Sequence, residues 1–385
     1  MNWRNITLTT AVLGSLAVPA ATARAANSAS ALQRFTPLYM AGGTLTETQA
    51  VTIAKEYSFI AEQDDAVPAY VGQMHAANPN LRLLVYINGR YDTSTNGTTY
   101  PSTWYAQDIH GKKIFSTQFH NWLMLPTANW NTEVGVLCTQ ELKRSGYDGC
   151  FLDSLGEAPL DPGYVDSPPV NPNTGKVFTS QAWIADEANT VAATQKVSKL
   201  VVPNGLGNGQ KFANTEPILA ASGTGMAELW LRVNNWPVNR FPSSTDWLQD
   251  VDMLVTAASK RQVILTVTKL WVNASTTQQN QWHAFTEASF LLGTDGKSAY
   301  CFTTSQTQPG LSLDTPYDHA AIGTPTGAMS NSGNLYKRTF TNGIAAVNPG
   351  TSAVTIQLGG THINLAGKSV SSETLAPDTA DIFVK

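Results

Sequence analysis

Short apolar runs alternate with longer amphipathic stretches along most of the chain. The short runs are rich in β-branched, aromatic and aliphatic residues, which is typical of strands, and the longer stretches repeat their apolar residues with helical period. The alternation occurs eight times. The predicted strands are 35–40, 58–63, 82–88, 149–155, 200–206, 225–231, 262–269 and 298–304. The predicted helices are 47–56, 67–77, 132–144, 181–199, 211–221, 245–260 and 278–292.

Several predicted strands are apolar at consecutive positions, as in the run from Leu83 to Ile87. Such strands are buried on both faces, which is typical of a parallel sheet covered by helices. Eight strand–helix units of this kind close into a barrel. The predicted fold class is therefore α/β, a (β/α)8 TIM barrel over residues 31–325.

The helical pattern ends near residue 305. Short β runs separated by Asn-Gly, Asn-Pro-Gly, Gly-Gly and Pro-Asp turns then predict a small antiparallel, sandwich-like β-domain over 334–385. Within the barrel, segments 89–131 and 156–180 are too long for simple turns. Both follow strand ends, so we expect them to cover the catalytic face of the barrel.

The first 25 residues resemble an export signal. Arg4 lies in a short charged start, an apolar run covers 8–20, and Ala23-Arg24-Ala25 forms an A-x-A cleavage site. We expect residues 1–25 to be removed and the mature protein to be secreted or periplasmic. No later run reaches the about 18 apolar residues of a membrane span, so no membrane association is predicted after cleavage.

Composition and net charge indicate which classes of partner the protein can bind. The chain is 42% hydrophobic and 14% charged, as expected for a globular protein. The predicted signal contains Arg4 and Arg24 and no acidic residue, so the net charge of −4 becomes −6 after cleavage. A net negative charge of this size argues against nucleic acid as a partner.

The sequence lacks the motifs of metal-dependent, nucleotide-binding and serine hydrolases. Three cysteines, Cys138, Cys150 and Cys301, allow at most one disulfide and lack the spacing of metal ligands. The six histidines form no zinc motif, and neither a phosphate-binding glycine loop nor G-x-S-x-G occurs. We therefore predict no metal and no cofactor.

Two carboxylates stand at the ends of apolar strands. Asp153 ends the fourth predicted strand, and Glu228 lies at an equivalent depth in the sixth. An ionisable group at the carboxyl end of a barrel strand faces the active site or is buried at high cost. A carboxylate pair across a barrel mouth suits glycoside hydrolysis, in which one group donates a proton and the other stays ionised. We predict Asp153 and Glu228 as catalytic residues.

Polar and aromatic residues at the ends of other strands suit a polyhydroxylated ligand, because each buried sugar hydroxyl needs a hydrogen-bond partner. The expected partner is accordingly a carbohydrate. The predicted substrate-binding residues are Asp64, Asn88, Arg90, Tyr91, Asn204, Trp230, Lys269 and Trp271.

The segments GYDGCFLDSLG, VVPNGLGNG, GMAELWLR, GKSAYCF and LYKRTFTNGIAAVNPG resemble, in this order, a glycoside-hydrolase-like family 15 of exported barrel proteins. The D-G-x-F-x-D form at strand four is also similar to that of retaining α-glycosidases and dextranases. The resemblance implies Asp153 as nucleophile and Glu228 as acid/base. If instead Glu228 is held in a salt bridge with Arg90 or Arg232, then Asp64, Asp65 or Glu157 would be the acid.

The favoured hypothesis is an exported glycoside hydrolase that cleaves a poly- or oligosaccharide, with retention of anomeric configuration. A barrel that binds glycans without catalysis, and a lyase or transglycosylase, remain as alternatives. The separation of the carboxyl groups discriminates hydrolysis from binding alone: about 5–5.5 Å is typical of retention, about 6.5–9.5 Å of inversion, and a much larger gap favours binding. Products formed in the presence of acceptor alcohols would separate transfer from hydrolysis.

Overall fold

The computed structural model describes residues 32–38, 45–62, 67–304 and 320–385. The predicted signal 1–25 lies outside these ranges, and so do Asp64 and Asp65. Within them, the prediction of a (β/α)8 barrel followed by a small antiparallel β-domain is confirmed.

The barrel strands and helices alternate along the chain. The strands are β1 (Gln33–Leu38), β2 (Phe59–Glu62), β3 (Arg82–Asn88), β4 (Gly149–Asp153), β5 (Val201–Pro203), β6 (Thr224–Ala227), β7 (Val263–Lys269) and β8 (Ala299–Thr303). The helices are α1 (Glu47–Glu56), α2 (Val71–Ala77), α3 (Ala128–Ser145), α4 (Ser180–Gln195), α5 (Gly209–Ser222), α6 (Ser244–Ser259) and α7 (Thr276–Gly293).

Eight parallel strands form one sheet in the order β6-β7-β8-β1-β2-β3-β4-β5. The first and last strands of this order meet through a parallel bridge between Asn204 and Met226. The amide of Leu206 also donates to the carbonyl oxygen of Met226 at 3.2 Å. The barrel therefore closes at the seam between β5 and β6, at the end where the strands finish.

Local signals fix where the helices begin and end. Thr46 and Gln49 form a capping box at the start of α1, and Ser275 and Gln278 form one at the start of α7. Helix α3 ends at Gly146, whose φ of 69° is the left-handed conformation that glycine adopts without strain. The predicted second helix differs, because its first turn is a 3-10 turn over Pro68–Tyr70.

Apolar residues fill the barrel and the layer between sheet and helices. Alternate strand residues point inward, so one or two positions per strand build the interior cluster. That cluster contains Phe35, Ala61, Leu84, Phe151, Val202, Met226, Leu265, Val267, Ala299 and Cys301. The opposite strand faces pack on the helices, and α3 is further joined to β4 by the disulfide Cys138–Cys150, with Cα atoms 5.9 Å apart.

The C-terminal segment forms a six-stranded antiparallel sheet. Its strands are β9 (Ser330–Ser332), β10 (Leu335–Phe340), β11 (Gly343–Asn348), β12 (Val354–Ile363), β13 (Ser369–Leu375) and β14 (Thr379–Val384), in the order β9-β10-β11-β14-β12-β13. In β11, Ala345 and Val347 face the barrel helices, whereas Ile344 and Ala346 face a second small core with β12 and β13. Because of this alternation, side chains pack on both faces of the strand.

No helix in the described ranges is both long and apolar enough to cross a membrane.

Candidate active site

A layer of polar side chains lies directly above the apolar interior of the barrel. Asp153, Asn204, Glu228 and Lys269 each stand two residues beyond an apolar residue of the interior cluster, so strand alternation points them to the same side. Tyr86 occupies the corresponding position two residues beyond Leu84. The mouth between β3 and β7 thus holds two carboxylates, an amide, an ammonium and a phenol.

The side-chain amide of Asn204 joins the two carboxylates. Its Nδ2 donates to Oδ1 of Asp153 at 2.7 Å and to Oε2 of Glu228 at 2.9 Å. An amide nitrogen has two protons, one for each acceptor. The two accepting oxygens are therefore no more than about 5.6 Å apart, the combined length of the two bonds.

Asp153 accepts hydrogen bonds from neutral donors. The Tyr86 hydroxyl donates to its Oδ2 at 2.9 Å, in addition to the Asn204 amide. Burial raises the pKa of Asp153, and the nearby carboxylate of Glu228 raises it further. The pKa of Tyr86 is raised as well, by burial and by Asp153, so the phenol remains a donor.

Glu228 forms an ion pair with Lys269, whose side chain is only 5% exposed. Burial acts to raise the pKa of Glu228, but the Lys269 ammonium and the Asn204 amide outweigh it, and the pKa lies below its ordinary value. The ammonium also lies 4.2 Å from the ring centre of the half-buried Trp271. Glu228 is thus in a salt bridge, although with neither of the predicted partners, Arg90 and Arg232.

The backbone that carries Asp153 is held by its neighbours. The next residue, Ser154, has a φ of 65°, which turns the chain out of the strand at once. The amide of Gly89 donates to the Asp153 carbonyl oxygen at 2.8 Å, and that of Leu155 to the Asn204 carbonyl oxygen at 2.9 Å. At Gly156 a Cβ would lie 2.4 Å from the carbonyl oxygen of Gly205, so only glycine fits.

Two buried carboxylates on helices hold the loops that follow the catalytic candidates. Glu187 of α4 accepts the Gly156 amide at 2.5 Å, three residues after Asp153. Asp250 of α6 accepts the Leu231 amide at 3.1 Å, three residues after Glu228. Burial raises the pKa of each carboxyl to about 7. Sequence analysis missed both residues, because helix positions far along the chain give no sign of which loop they reach.

Two predicted substrate-binding residues are part of the protein interior instead. Arg90 is fully buried and pairs with Glu187 at 3.2 Å, behind the strand ends. Trp230 is also fully buried, and its indole NH donates to the Asp250 carbonyl oxygen at 2.8 Å. The chain leaves the sheet after Ala227, which turns Trp230 toward the helices. Neither side chain offers a surface to a substrate.

The other predicted binding residues that the structure describes lie around the mouth. Asn88 is half-buried and its Oδ1 accepts the Arg90 and Tyr91 amides at 3.1 and 2.8 Å, so this oxygen shapes the loop after β3. Tyr91 is 3% exposed and packs against Phe119. Asn204, Lys269 and Trp271 are described above. Asp64 lies outside the described residues.

Glu157, the alternative acid that the structure describes, is engaged elsewhere. It accepts hydrogen bonds from Ser180 and Asn214 and pairs with Lys211 at 3.2 Å. Partial burial would raise the pKa of Glu157, but these donors lower it below its ordinary value. A carboxyl group that stays ionised is a poor proton donor. Across the described ranges, no three His, Cys, Asp or Glu side chains are grouped to hold a metal ion.

A sequence model for a family described as "Hypothetical glycosyl hydrolase family 15" matches residues 75–344, more than half of the chain. The chain belongs to this family. The match covers β3 to β8, including every polar residue at the mouth, and extends into the C-terminal sheet. This agrees with the resemblance noted in the sequence. A comparison with curated proteins finds no match.

Solved structures that resemble this member of hypothetical glycosyl hydrolase family 15 share its fold at low identity. A variant β-L-arabinopyranosidase of Geobacillus stearothermophilus in complex with arabinose is 8% identical, with a TM-score of 0.55 over 93% of this chain and 97% of that one. The α-amylase of Geobacillus thermoleovorans complexed with acarbose is 8% identical, with 0.53 over 93% and 99%. The α-amylase of Malbranchea cinnamomea is 10% identical, with 0.51 over 88% and 88%.

Proposed function

We propose that this protein is a glycoside hydrolase that cleaves glycosidic bonds of a poly- or oligosaccharide with Asp153 and Glu228. The observation that carries the proposal is the single Asn204 amide bonded to both carboxylates at the mouth of a barrel. Membership of the glycosyl hydrolase family supports the same reaction class. The two carboxyl groups are close enough to act on one glycosidic bond.

The proposed stereochemical outcome is retention. The bonded oxygens of the two carboxylates are at most about 5.6 Å apart. Inverting enzymes hold their carboxyl groups about 6.5–9.5 Å apart to admit a water molecule between acid and base, whereas retaining enzymes hold them about 5–5.5 Å apart. The upper limit set by Asn204 falls below the inverting range.

Charge favours one assignment of roles, the reverse of the one implied by the family resemblance. The Lys269 ammonium keeps Glu228 ionised, as a nucleophile requires. Asp153 is half-buried beside that negative charge and its described partners are neutral, so it holds a proton more readily. We therefore propose Glu228 as nucleophile and Asp153 as acid/base.

In the first step a Glu228 oxygen attacks the anomeric carbon as the bond to the leaving oxygen breaks, and the Asp153 proton passes to that oxygen. The product is a glycosyl ester of Glu228. In the second step Asp153, now ionised, takes a proton from water, whose oxygen displaces Glu228 from the anomeric carbon. Two displacements restore the original anomeric configuration.

The test of function is hydrolysis of a glycan panel by the purified protein, with the anomer of the first product read by NMR. We expect Asp153→Asn and Glu228→Gln each to lower turnover about 100-fold or more while changing thermal stability little. Asp148→Asn is the matched control, since this acid lies at the other end of β4 and accepts the Leu83 amide. Unchanged turnover in Asp153→Asn or Glu228→Gln would remove that residue from the mechanism.

A second measurement separates the two role assignments. With an activated aryl glycoside and azide, a variant that lacks the nucleophile gives a glycosyl azide of inverted configuration by one displacement. A variant that lacks only the acid/base gives retained configuration by two. We expect inversion from Glu228→Gly and retention from Asp153→Gly. The opposite pattern would restore Asp153 as nucleophile. Binding of a glycan without turnover of any substrate would favour the binding-only alternative.

We also propose that the protein acts outside the cytoplasm, on the basis of the signal-like pattern in residues 1–25. N-terminal sequencing of protein expressed with this segment should begin at Ala26. Recovery of the uncut chain from the cytoplasmic fraction would contradict export.

A further inference from the structure

The two long loops above the mouth are joined edge to edge. Ser116, in the loop after β3, forms a β-bridge with Val165, in the loop after β4. The Thr117 amide and the Ser116 hydroxyl both donate to the Tyr164 carbonyl oxygen, at 3.0 and 2.9 Å. The Lys112 ammonium pairs with Asp166 at 2.7 Å. Each loop therefore fixes the position of the other.

This joined rim presents an exposed aromatic ring. Phe119 is 46% exposed at the tip of a turn between Ser116 and Asn121. The turn is ordered by its own hydrogen bonds: the amides of Phe119 and His120 donate to the hydroxyl and the carbonyl oxygen of Ser116, at 3.0 and 2.9 Å. An exposed ring on a well-fixed turn is a surface on which a ligand can pack.

The exposed ring is continuous with the catalytic mouth. The ring centre of Phe119 lies 5.9 Å from that of half-buried Tyr164 and 6.0 Å from that of Tyr91. Tyr91 is joined to the site by hydrogen bonds, since its amide donates to Oδ1 of Asn88. Nδ2 of Asn88 in turn reaches the Tyr86 hydroxyl that donates to Asp153. Burial and the charge of Glu228 also raise the pKa of Tyr164. Phe119 and Tyr164, named here the aromatic wall, lead outward from the carboxylate pair.

We propose that the aromatic wall is a sugar-binding subsite, on which a neighbouring unit of the oligosaccharide packs while the scissile bond lies at Asp153 and Glu228. This inference rests on the proposed function. A sugar ring presents C–H groups on its faces and hydroxyls at its edge, which suits an apolar ring beside a phenol. The acidic residues on this side of the mouth are Glu228 and Asp161, whose carbonyl oxygen accepts the Tyr164 amide at 2.9 Å, and both raise the pKa of Tyr164. The subsite therefore takes an uncharged sugar and disfavours a uronic acid.

The test uses isothermal titration of the Glu228→Gln variant with the hexamers of cellulose, starch, xylan, mannan, laminarin, chitin and polygalacturonic acid. For an uncharged probe that binds, we expect added Phe119→Ala or Tyr164→Ala to weaken binding about 3- to 10-fold. Ile109→Ala, which removes an apolar side chain that is 69% exposed on the same loop, should leave binding unchanged. Melting curves check that each variant folds.

Turnover by the chain with intact carboxylates separates this inference from the proposed function. Phe119→Ala should raise KM for a hexamer at little cost to kcat and leave kcat/KM for an aryl monoglycoside unchanged. Binding that depends on Phe119 but is not followed by turnover would support the subsite proposal and contradict the proposed hydrolase function. If the chain turns over a glycan and both wall variants keep full affinity, the subsite proposal is wrong. It is also wrong if the uronic hexamer binds most tightly or if no uncharged probe binds.

Discussion

A single ammonium distinguishes the two carboxylates of the mouth. Asp153 and Glu228 share the Asn204 amide, yet only Glu228 contacts Lys269. An opposite charge in contact lowers a carboxyl pKa, whereas burial beside a like charge raises it. The pair thus has the asymmetry that acid and nucleophile require, and Lys269 produces it without needing to touch the substrate.

Replacement of Lys269 by methionine tests this asymmetry. Without the ammonium the pKa of Glu228 rises, so a higher pH is needed to ionise it. We expect the acidic limb of the kcat/KM profile in Lys269→Met to move upward by about 1–3 pH units. Lys112→Met, which removes an exposed ion pair with Asp166, should leave the profile in place. An unmoved acidic limb in Lys269→Met would show that Glu228 does not set it.

Strand alternation decided which site residues could be predicted from the sequence. Asp153, Asn204, Glu228 and Lys269 follow inward-facing apolar residues by two positions, a pattern visible in the sequence. The same rule applied to Leu84 would have found Tyr86. Asn204 and Glu228 lie one residue past their strands and still follow the alternation, but from two residues past the end onward a side chain can face either way. For that reason the sequence did not predict that Arg90 and Trp230 turn away from the mouth and pack against the helices.

At the scale of elements, helices hold the loops that carry the site. Glu187 of α4 and Asp250 of α6 each accept a backbone amide three residues beyond a proposed catalytic carboxylate. These contacts join residues far apart in the chain, whereas the helices themselves were predictable from local periodicity. Sequence patterns therefore gave the elements, and the tertiary hydrogen bonds between them became visible only in the folded chain.

The buried carboxyl of Asp250 should make stability depend on pH. An unfolded aspartate has a pKa of about 3.9, and burial raises the folded value to about 7. Between these values the unfolded chain loses its proton first, so this group lowers stability as pH rises from about 4 to about 7. In Asp250→Asn this contribution is absent, and stability should fall less steeply over that range.

Urea unfolding at several pH values from 5 to 8, in parallel for wild type and Asp250→Asn, measures the effect. We expect the difference in free energy of unfolding between the two proteins to change by about 1–4 kcal/mol over this pH range. Glu187 acts in the same direction in both proteins and so cancels in the difference. Asp252→Asn, which removes an exposed carboxylate two residues further along the same helix, is the control. Parallel curves would mean that Asp250 does not titrate between its unfolded and folded values.

At the scale of the whole molecule, the barrel and the C-terminal sheet share one apolar cluster. The β-turns of the sheet and its strand pattern were evident in the sequence, but the surface on which it packs was not. That surface consists of α6 and α7, and the shared cluster contains Trp247, Phe285, Phe290, Phe340, Val347 and Ile382. Because these side chains cover one another, we expect barrel and sheet to unfold together.

Arg338 connects the two parts by polar contacts as well. From β10 its Nη1 donates to the carbonyl oxygens of Leu291, Leu292 and Thr294 at the end of α7, at 3.1, 3.1 and 2.5 Å. A cation is favourable at this end of a helix, where carbonyl groups have no partner in the helix itself. Arg338→Met should destabilise the protein by about 2–4 kcal/mol, because it leaves these carbonyl groups without their charged donor.

Calorimetry and urea unfolding of Arg338→Met test both the size of this loss and the cooperativity of the molecule. Arg240→Met is the control, since this exposed arginine lies over the Trp236 ring at 4.4 Å and should contribute about 0.5 kcal/mol or less. If the shared cluster couples the two parts, the variant melts earlier in a single transition, and activity on any glycan substrate is lost in that same transition. A separate early transition of the sheet, with the barrel still active, would instead show that the barrel is stable without it.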